Sequence, residues 1–283
     1  MNSTTNASGC SVSHHTTAQK VGETLAYCVV FVVSLVGNPI IAFIVYKTKT
    51  MRKTVNYFIV NMAMSDLLYP IFVIPLTVTS LYSDGAWLIV GPLGQALCKL
   101  VPFVTGVSAT VSILSVVVIA VYRFGTVVFP LRTPLIRPKL CYYFILATWI
   151  VAMALLSRVL LRAELAEYQG HAFCVDWLVN DNDYFVVVRV VLFLLTVVML
   201  VILYTIIVIK LKTQVIPGER SVNAEELRTS RNTQVLKMAI AIVLALTLCW
   251  IPVTILKALT YFRLEIECSS SIYVWPITNF MAI

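Results

Sequence analysis

The chain has 283 residues, of which 60% are hydrophobic and 12% charged, with a formal net charge of +8 and a mean hydropathy of +0.92. A soluble domain carries about a quarter charged residues, and disordered or collagen-like chains are far richer in polar residues or glycine, so those classes are excluded. A bilayer crossing takes about 20 mostly apolar residues, which leaves room for seven crossings and hardly for ten.

The nearly uncharged runs, in chain order, are 24–46, 54–83 with Asp66 inside, 100–122, 140–157, 184–209 with Arg189 inside, and 238–256. A last apolar stretch begins near residue 269 and reaches Ile283, which is shorter than a full crossing of about 20 residues. The expectation is an all-α membrane protein, a seven-transmembrane helix bundle with the seventh helix truncated at the chain end. Residues 1–23 are expected to form an extracellular N-terminus, and 24–283 the helical domain.

Alternate loops carry the positive charge. The segment 47–53 holds Lys47, Lys49, Arg52 and Lys53 without an acid, 123–139 holds Arg123, Arg132, Arg137 and Lys139 without an acid, and 210–237 is basic on balance. The loop 158–183 sets two arginines against Glu164, Glu167, Asp176, Asp181 and Asp183. Basic loops stay cytoplasmic, so the N-terminus lies outside. Topology thus accounts for the +8, and no nucleic-acid partner is expected. Residues 1–23 lack an apolar core, so no cleavable signal peptide is expected and the first run acts as the anchor. Asn2-Ser3-Thr4 and Asn6-Ala7-Ser8 fit the glycosylation pattern on that side.

Of the seven cysteines, Cys28, Cys141 and Cys249 fall in or beside helices, where reduced, packed thiols are the ordinary state. Cys10, Cys98, Cys174 and Cys268 fall on the oxidising side, where three pairings are open. A Cys98–Cys174 bond would pin the long outer loop over the bundle, and Cys10–Cys268 would then tie the N-terminus to the last outer loop. The loop alternates around Cys174 in a way that suits a short β-hairpin.

Asp66 is 13 residues from Lys53, roughly 20 Å along a helix and so near mid-membrane. Asn38 and Ser112 share that depth on the first and third runs. Three oxygen-bearing side chains suit a small hard cation such as Na⁺, and they equally suit a polar network joining helices. Cys98 and Arg123 mark the outer and inner ends of the third run. Arg123 alone is compatible with snorkelling to lipid phosphates. In Cys249-Trp250-Ile251-Pro252 the proline kinks the sixth run beside Trp250, which is either a packed aromatic or a group that re-packs when the helix bends.

Taken in order, these residues resemble the rhodopsin-like (class A) G-protein-coupled receptors. The matching pieces are Gly37-Asn38, Asn61-Met62-Ala63-Met64-Ser65-Asp66-Leu67, Trp87, Cys98, Ala120-Val121-Tyr122-Arg123-Phe124, Pro130-Leu131-Arg132, Trp149, Cys174, Tyr204 and Cys249-Trp250-Ile251-Pro252. The second run and the loop bearing Trp87 are similar to neuropeptide-type members. The resemblance implies a plasma-membrane receptor, not an enzyme, with an extracellular peptide ligand and a heterotrimeric G protein as partners. It implies that Asp66, Asn38 and Ser112 form a sodium centre, that Cys98 pairs with Cys174, and that Arg123 and Tyr204 serve G-protein coupling. Trp250 would be the switch beneath the ligand.

Departures from the family pattern are equally specific. Tyr122 stands where an acid usually precedes the arginine, Asn232 where some members carry a second acid, Thr196 for the fifth-helix proline and Leu246 for an aromatic. The Asn-Pro-x-x-Tyr segment of the seventh helix does not occur. The third run has no acid between Leu100 and Tyr122, with Thr105 at the place where amine receptors carry aspartate, which speaks against a monoamine. Helical spacing makes Thr105 and Ala109 on the third run and Trp250, Thr254 and Lys257 on the sixth the candidate ligand-facing residues. Arg189 either joins them or snorkels outward. The loop 158–183 has a net charge of −3 from its two arginines and five acids, which either attracts a cationic peptide or simply reflects a solvated outer loop. A transporter would need more charge along a path than Asp66 alone. An intramembrane enzyme would need a nucleophile–base pair, whereas His14, His15 and His171 all lie outside the runs.

Overall fold

The computed structural model describes residues 16–83, 85–129, 138–168, 170–176 and 183–213. The sixth and seventh runs, with Trp250, Thr254, Lys257, Cys10, Cys268, Asn2 and Asn6, lie outside the described residues. Five helical spans long and apolar enough to cross a membrane are present among those described. The first is α1 (Thr17–Lys47), the second comprises α2 (Thr54–Asp66), α3 (Leu68–Phe72) and α4 (Ile74–Tyr82), and the third is α5 (Gly91–Val128). The fourth is α6 (Pro138–Arg162) and the fifth lies within α7 (Asp183–Thr213).

Except in the second span, the helices outrun their apolar runs. Helix α1 starts at Thr17, inside the segment expected to precede it, because Thr16 and Gln19 form a capping box. The Thr16 hydroxyl accepts from the Gln19 amide at 3.3 Å, and the Thr16 amide donates to Gln19 Oε1 at 2.9 Å. Helix α5 starts at Gly91, whose φ of +75° suits glycine. Cys98 therefore sits two turns inside the third helix instead of opening it.

The second span departs most from its continuous apolar run. Pro70 supplies no amide to the Asp66 carbonyl and crowds it, and Pro75 does the same to Ile71, so the helix is interrupted at Leu67 and Val73. Asp66 ends α2 at the first interruption.

Helix α5 is the axis of the bundle. Val116 and Ala120 pack on Leu200, Tyr204 and Ile207 of α7. Ile119 packs on Val55 and Phe58 of α2 and Cys141 of α6, and Val107 and Val111 pack on Ala152 of α6. Outward faces are apolar: Val29, Val33 and Phe43 of α1, Ile150 and Leu155 of α6 and Val198 and Ile202 of α7 are all exposed. Asn61, Ser65, Ser108, Ser115 and Thr148 are buried. Apolar outside with polar inside is the arrangement expected in lipid.

One buried network joins three helices. Asn61 donates to Ser115 Oγ at 2.9 Å and Thr148 Oγ1 at 3.3 Å, and Trp149 Nε1 donates to Asn61 Oδ1 at 2.8 Å. Replacing Asn61 with Leu leaves the indole donor unpaired, and is expected to cost about 1–2 kcal/mol. Thermal unfolding in detergent checks this, and Asn61→Leu combined with Trp149→Phe should cost less than the sum of the two.

Candidate functional site

On α5 the residues Cys98, Thr105, Ala109 and Ser112 recur at helical spacing and form one stripe from the outer end to mid-membrane. At the outer end Cys98 bonds to Cys174, with Cα atoms 5.5 Å apart. This settles the pairing among the described cysteines. Cys174 lies on β2 (His171–Asp176), antiparallel to β1 (Ala163–Tyr168), with Leu165 opposite Cys174 and Gly170 at a φ of +79° in the turn. The expected hairpin therefore exists.

Two further ties hold the hairpin, neither foreseen from the sequence. Gln95, one turn outward from Cys98, accepts from the Leu165 amide at 2.9 Å and donates to the Ala163 carbonyl at 3.4 Å. The Trp87 amide donates to the Ala172 carbonyl at 2.6 Å. Gly94 is required between them, since a Cβ there would collide with the Ile89 carbonyl while facing the Trp87 indole.

Further in, Thr105 is half-buried and donates to the Val101 carbonyl at 2.8 Å, and Ala109 follows one turn below. Ser112 donates to Asp66 Oδ1 at 2.7 Å, as their shared depth suggested. Ser65 adds a third oxygen: its hydroxyl lies 3.0 Å from Ser112 Oγ. Asn38 does not join them; its amide donates to the Ser34 carbonyl in its own helix at 3.1 Å. The spacing of Ser108, Ser112 and Ser115 on α5, facing Asn61 and Ser65 one turn apart on α2, was the available signal for this seam. The donors, one carboxylate and two hydroxyl oxygens, are of the kind a small hard cation takes.

At the inner end Arg123 is half-buried, within electrostatic reach of Tyr122 and Tyr204. Tyr204 is buried beside Val116 and Ala120, so the structure brings together the two residues expected to serve coupling. Arg189 is the seventh residue of α7.

Five apolar spans around a polar seam, a disulfide-bonded outer hairpin and an arginine at the inner end of the third helix define a class of receptor. Residues 37–283 match the family described as 7 transmembrane receptor (rhodopsin family), and the chain belongs to it. The chain is a multi-pass plasma-membrane portion of a protein of this family, which is a family of receptors and not of enzymes. Among curated relatives, it is 26% identical over 268 residues to the RYamide receptor of Drosophila melanogaster, covering 91% of this chain and 57% of that protein. It is 31% identical over 252 residues to the QRFP-like peptide receptor of Branchiostoma floridae, covering 84% and 65%. It is 28% identical over 282 residues to neuropeptide FF receptor 2 of Mus musculus, covering 91% and 65%. The chain thus spans less than two thirds of the length of these relatives.

Because Gln95 binds the hairpin independently of the disulfide, Gln95→Ala should raise the exchange rate of the Leu165 amide about tenfold, the worth of one ordinary hydrogen bond. The Trp87 amide should keep its protection. Hydrogen–deuterium exchange with the disulfide intact reads both.

Proposed function

We propose that this protein binds an extracellular peptide between its helices and activates a heterotrimeric G protein. The observation that carries this reading is the acidic hairpin fastened over the α5 stripe. Glu164 and Glu167 are exposed on β1, and the same helix that holds the hairpin reaches Arg123 at the opposite face. A cationic peptide approaching that loop gains from its net charge of −3. The peptide-receptor names of the relatives support the same ligand class. Thr105 and Ala109 would line the entrance on α5, with Arg189, Trp250, Thr254 and Lys257 as the proposed partners from the fifth and sixth spans. Opening of the cytoplasmic side would expose Arg123, with Tyr204 beside it, to the G protein. We further propose that Na⁺ occupies the space by Asp66 and Ser112 in the inactive receptor. Cys10–Cys268 pairing and glycosylation at Asn2 and Asn6 complete the proposed outer surface.

In membranes carrying the full-length receptor, peptides of the RYamide, QRFP and neuropeptide FF types should stimulate GDP–GTP exchange on a G protein. Arg123→Ala should lower that maximal exchange roughly tenfold while surface expression persists. Failure of all peptide classes to stimulate a folded, surface-exposed receptor would reject the reading. The paired change Glu164→Lys and Glu167→Lys should slow association of a cationic peptide about tenfold and flatten its salt dependence. Binding kinetics at two ionic strengths measure this.

A further inference from the structure

We infer that Ser65 is a positioning residue that lets Ser112 turn its oxygen toward a cation; this rests on the Na⁺ reading above. A serine hydroxyl has one proton and two lone pairs. In the structure Ser112 gives that proton to Asp66 Oδ1 at 2.7 Å. A hydroxyl that coordinates a cation must instead direct its lone pairs inward and its proton away, so the proton needs another acceptor.

Ser65 Oγ, 3.0 Å from Ser112 Oγ, is that acceptor. It can accept because its own proton has a partner in the Met62 carbonyl at 2.8 Å. Reorienting the Ser112 hydroxyl proton alone, with no heavy atom displaced, converts Ser112 from a donor to Asp66 into a cation ligand. The other acceptor open to a helical serine is the carbonyl one turn back. Thr105, Thr110 and Ser115 of the same helix all take that route. Ser112 taking it would swing its oxygen off the carboxylate and out of the site. Ser65 itself is held rigidly. It is fully buried, and the Ser108 hydroxyl donates to its backbone carbonyl at 2.9 Å, next to the interruption after Asp66.

The test is thermal unfolding of the purified full-length receptor across a NaCl series, with choline chloride holding ionic strength constant. Wild type should be stabilised selectively by Na⁺, and Ser112→Ala should lose the response. Ser65→Ala and the volume-conserving Ser65→Cys should both raise the half-saturating Na⁺ concentration on the order of tenfold, the loss of one hydrogen bond to the bound form. Ser108→Ala, which loosens the same turn without touching the acceptor, should lower the melting temperature in both salts and leave the Na⁺ midpoint in place. If Ser65→Ala likewise shifts both salts equally and keeps the wild-type midpoint, Ser65 is structural only and the inference is overturned. If wild type itself shows no preference for Na⁺ over choline, the cation reading fails and the inference fails with it.

Discussion

Between two helices in lipid, apolar side chains gain nothing by exchanging acyl chains for each other, so close packing and polar groups with no water to turn to hold the helices together. In this receptor that constraint is met along the contact between α2 and α5. Asn61 reaches Ser115 and draws in Thr148 and Trp149 of α6, and one turn outward Ser65, Ser108 and Ser112 close around the end of α2. Each of these hydroxyls finds its acceptor within the bundle. Slide α2 along α5 by one turn and the bonds that cross between them, from Asn61 to Ser115, from Ser108 to the Ser65 carbonyl and from Ser112 to Asp66, are lost at once, in a medium that cannot replace them. The seam fixes register, and the apolar packing on either side follows from it.

The proline interruptions of the second span become intelligible against that register. A continuous helix from Thr54 to Tyr82 would carry its outer half along the line set by its inner half. Pro70 and Pro75 break that line just beyond Asp66, so the inner half keeps the seam while the outer half follows a course of its own. There Tyr82 meets Thr24 of α1 across 3.1 Å. The interruption also leaves the carbonyls near Asp66 short of helical donors, and Ser108 supplies one to Ser65. The carboxylate is thus placed where backbone, two helices and three hydroxyls converge.

Most of this was legible as a pattern and little of it as geometry. The runs located the spans, the loop charges oriented them, and the common depth of Asp66 and Ser112 anticipated their bond. Depth alone misled for Asn38: residues level in the membrane can face different neighbours, and the Asn38 amide turned back on its own helix. Hydropathy runs missed the extra turns of α1 and α5 because helix ends in water are set by caps and glycine, not by apolarity. They missed the interruptions because proline is uncharged and simply extends a run. Gln95 could not be read at all: its partners Ala163 and Leu165 return from about 70 residues later in the chain, and only the fold brings them beside it.

The inner end shows what the replacement of the family's acid by Tyr122 means physically. Tyr122 packs against the cluster of Val55, Phe58, Ile119 and Cys141, where a carboxylate would be stripped of water by apolar neighbours on two helices. The tyrosine ring fills that space and completes the contact between α2, α5 and α6. Among the described residues, the groups that act electrostatically on Arg123 are the phenols of Tyr122 and Tyr204. A phenol attracts a guanidinium through a dipole and a ring face, both weaker than an adjacent carboxylate. Tyr204 is itself held by packing, against Val116 and Ala120 of α5 and its own neighbours Leu200 and Ile207. Packing of this kind yields when helices move apart, all at once, whereas an ion pair must be broken against its own charge. At this end the described contact between α5 and α7 is one of packing, with Tyr204 seated on the apolar face formed by Val116 and Ala120.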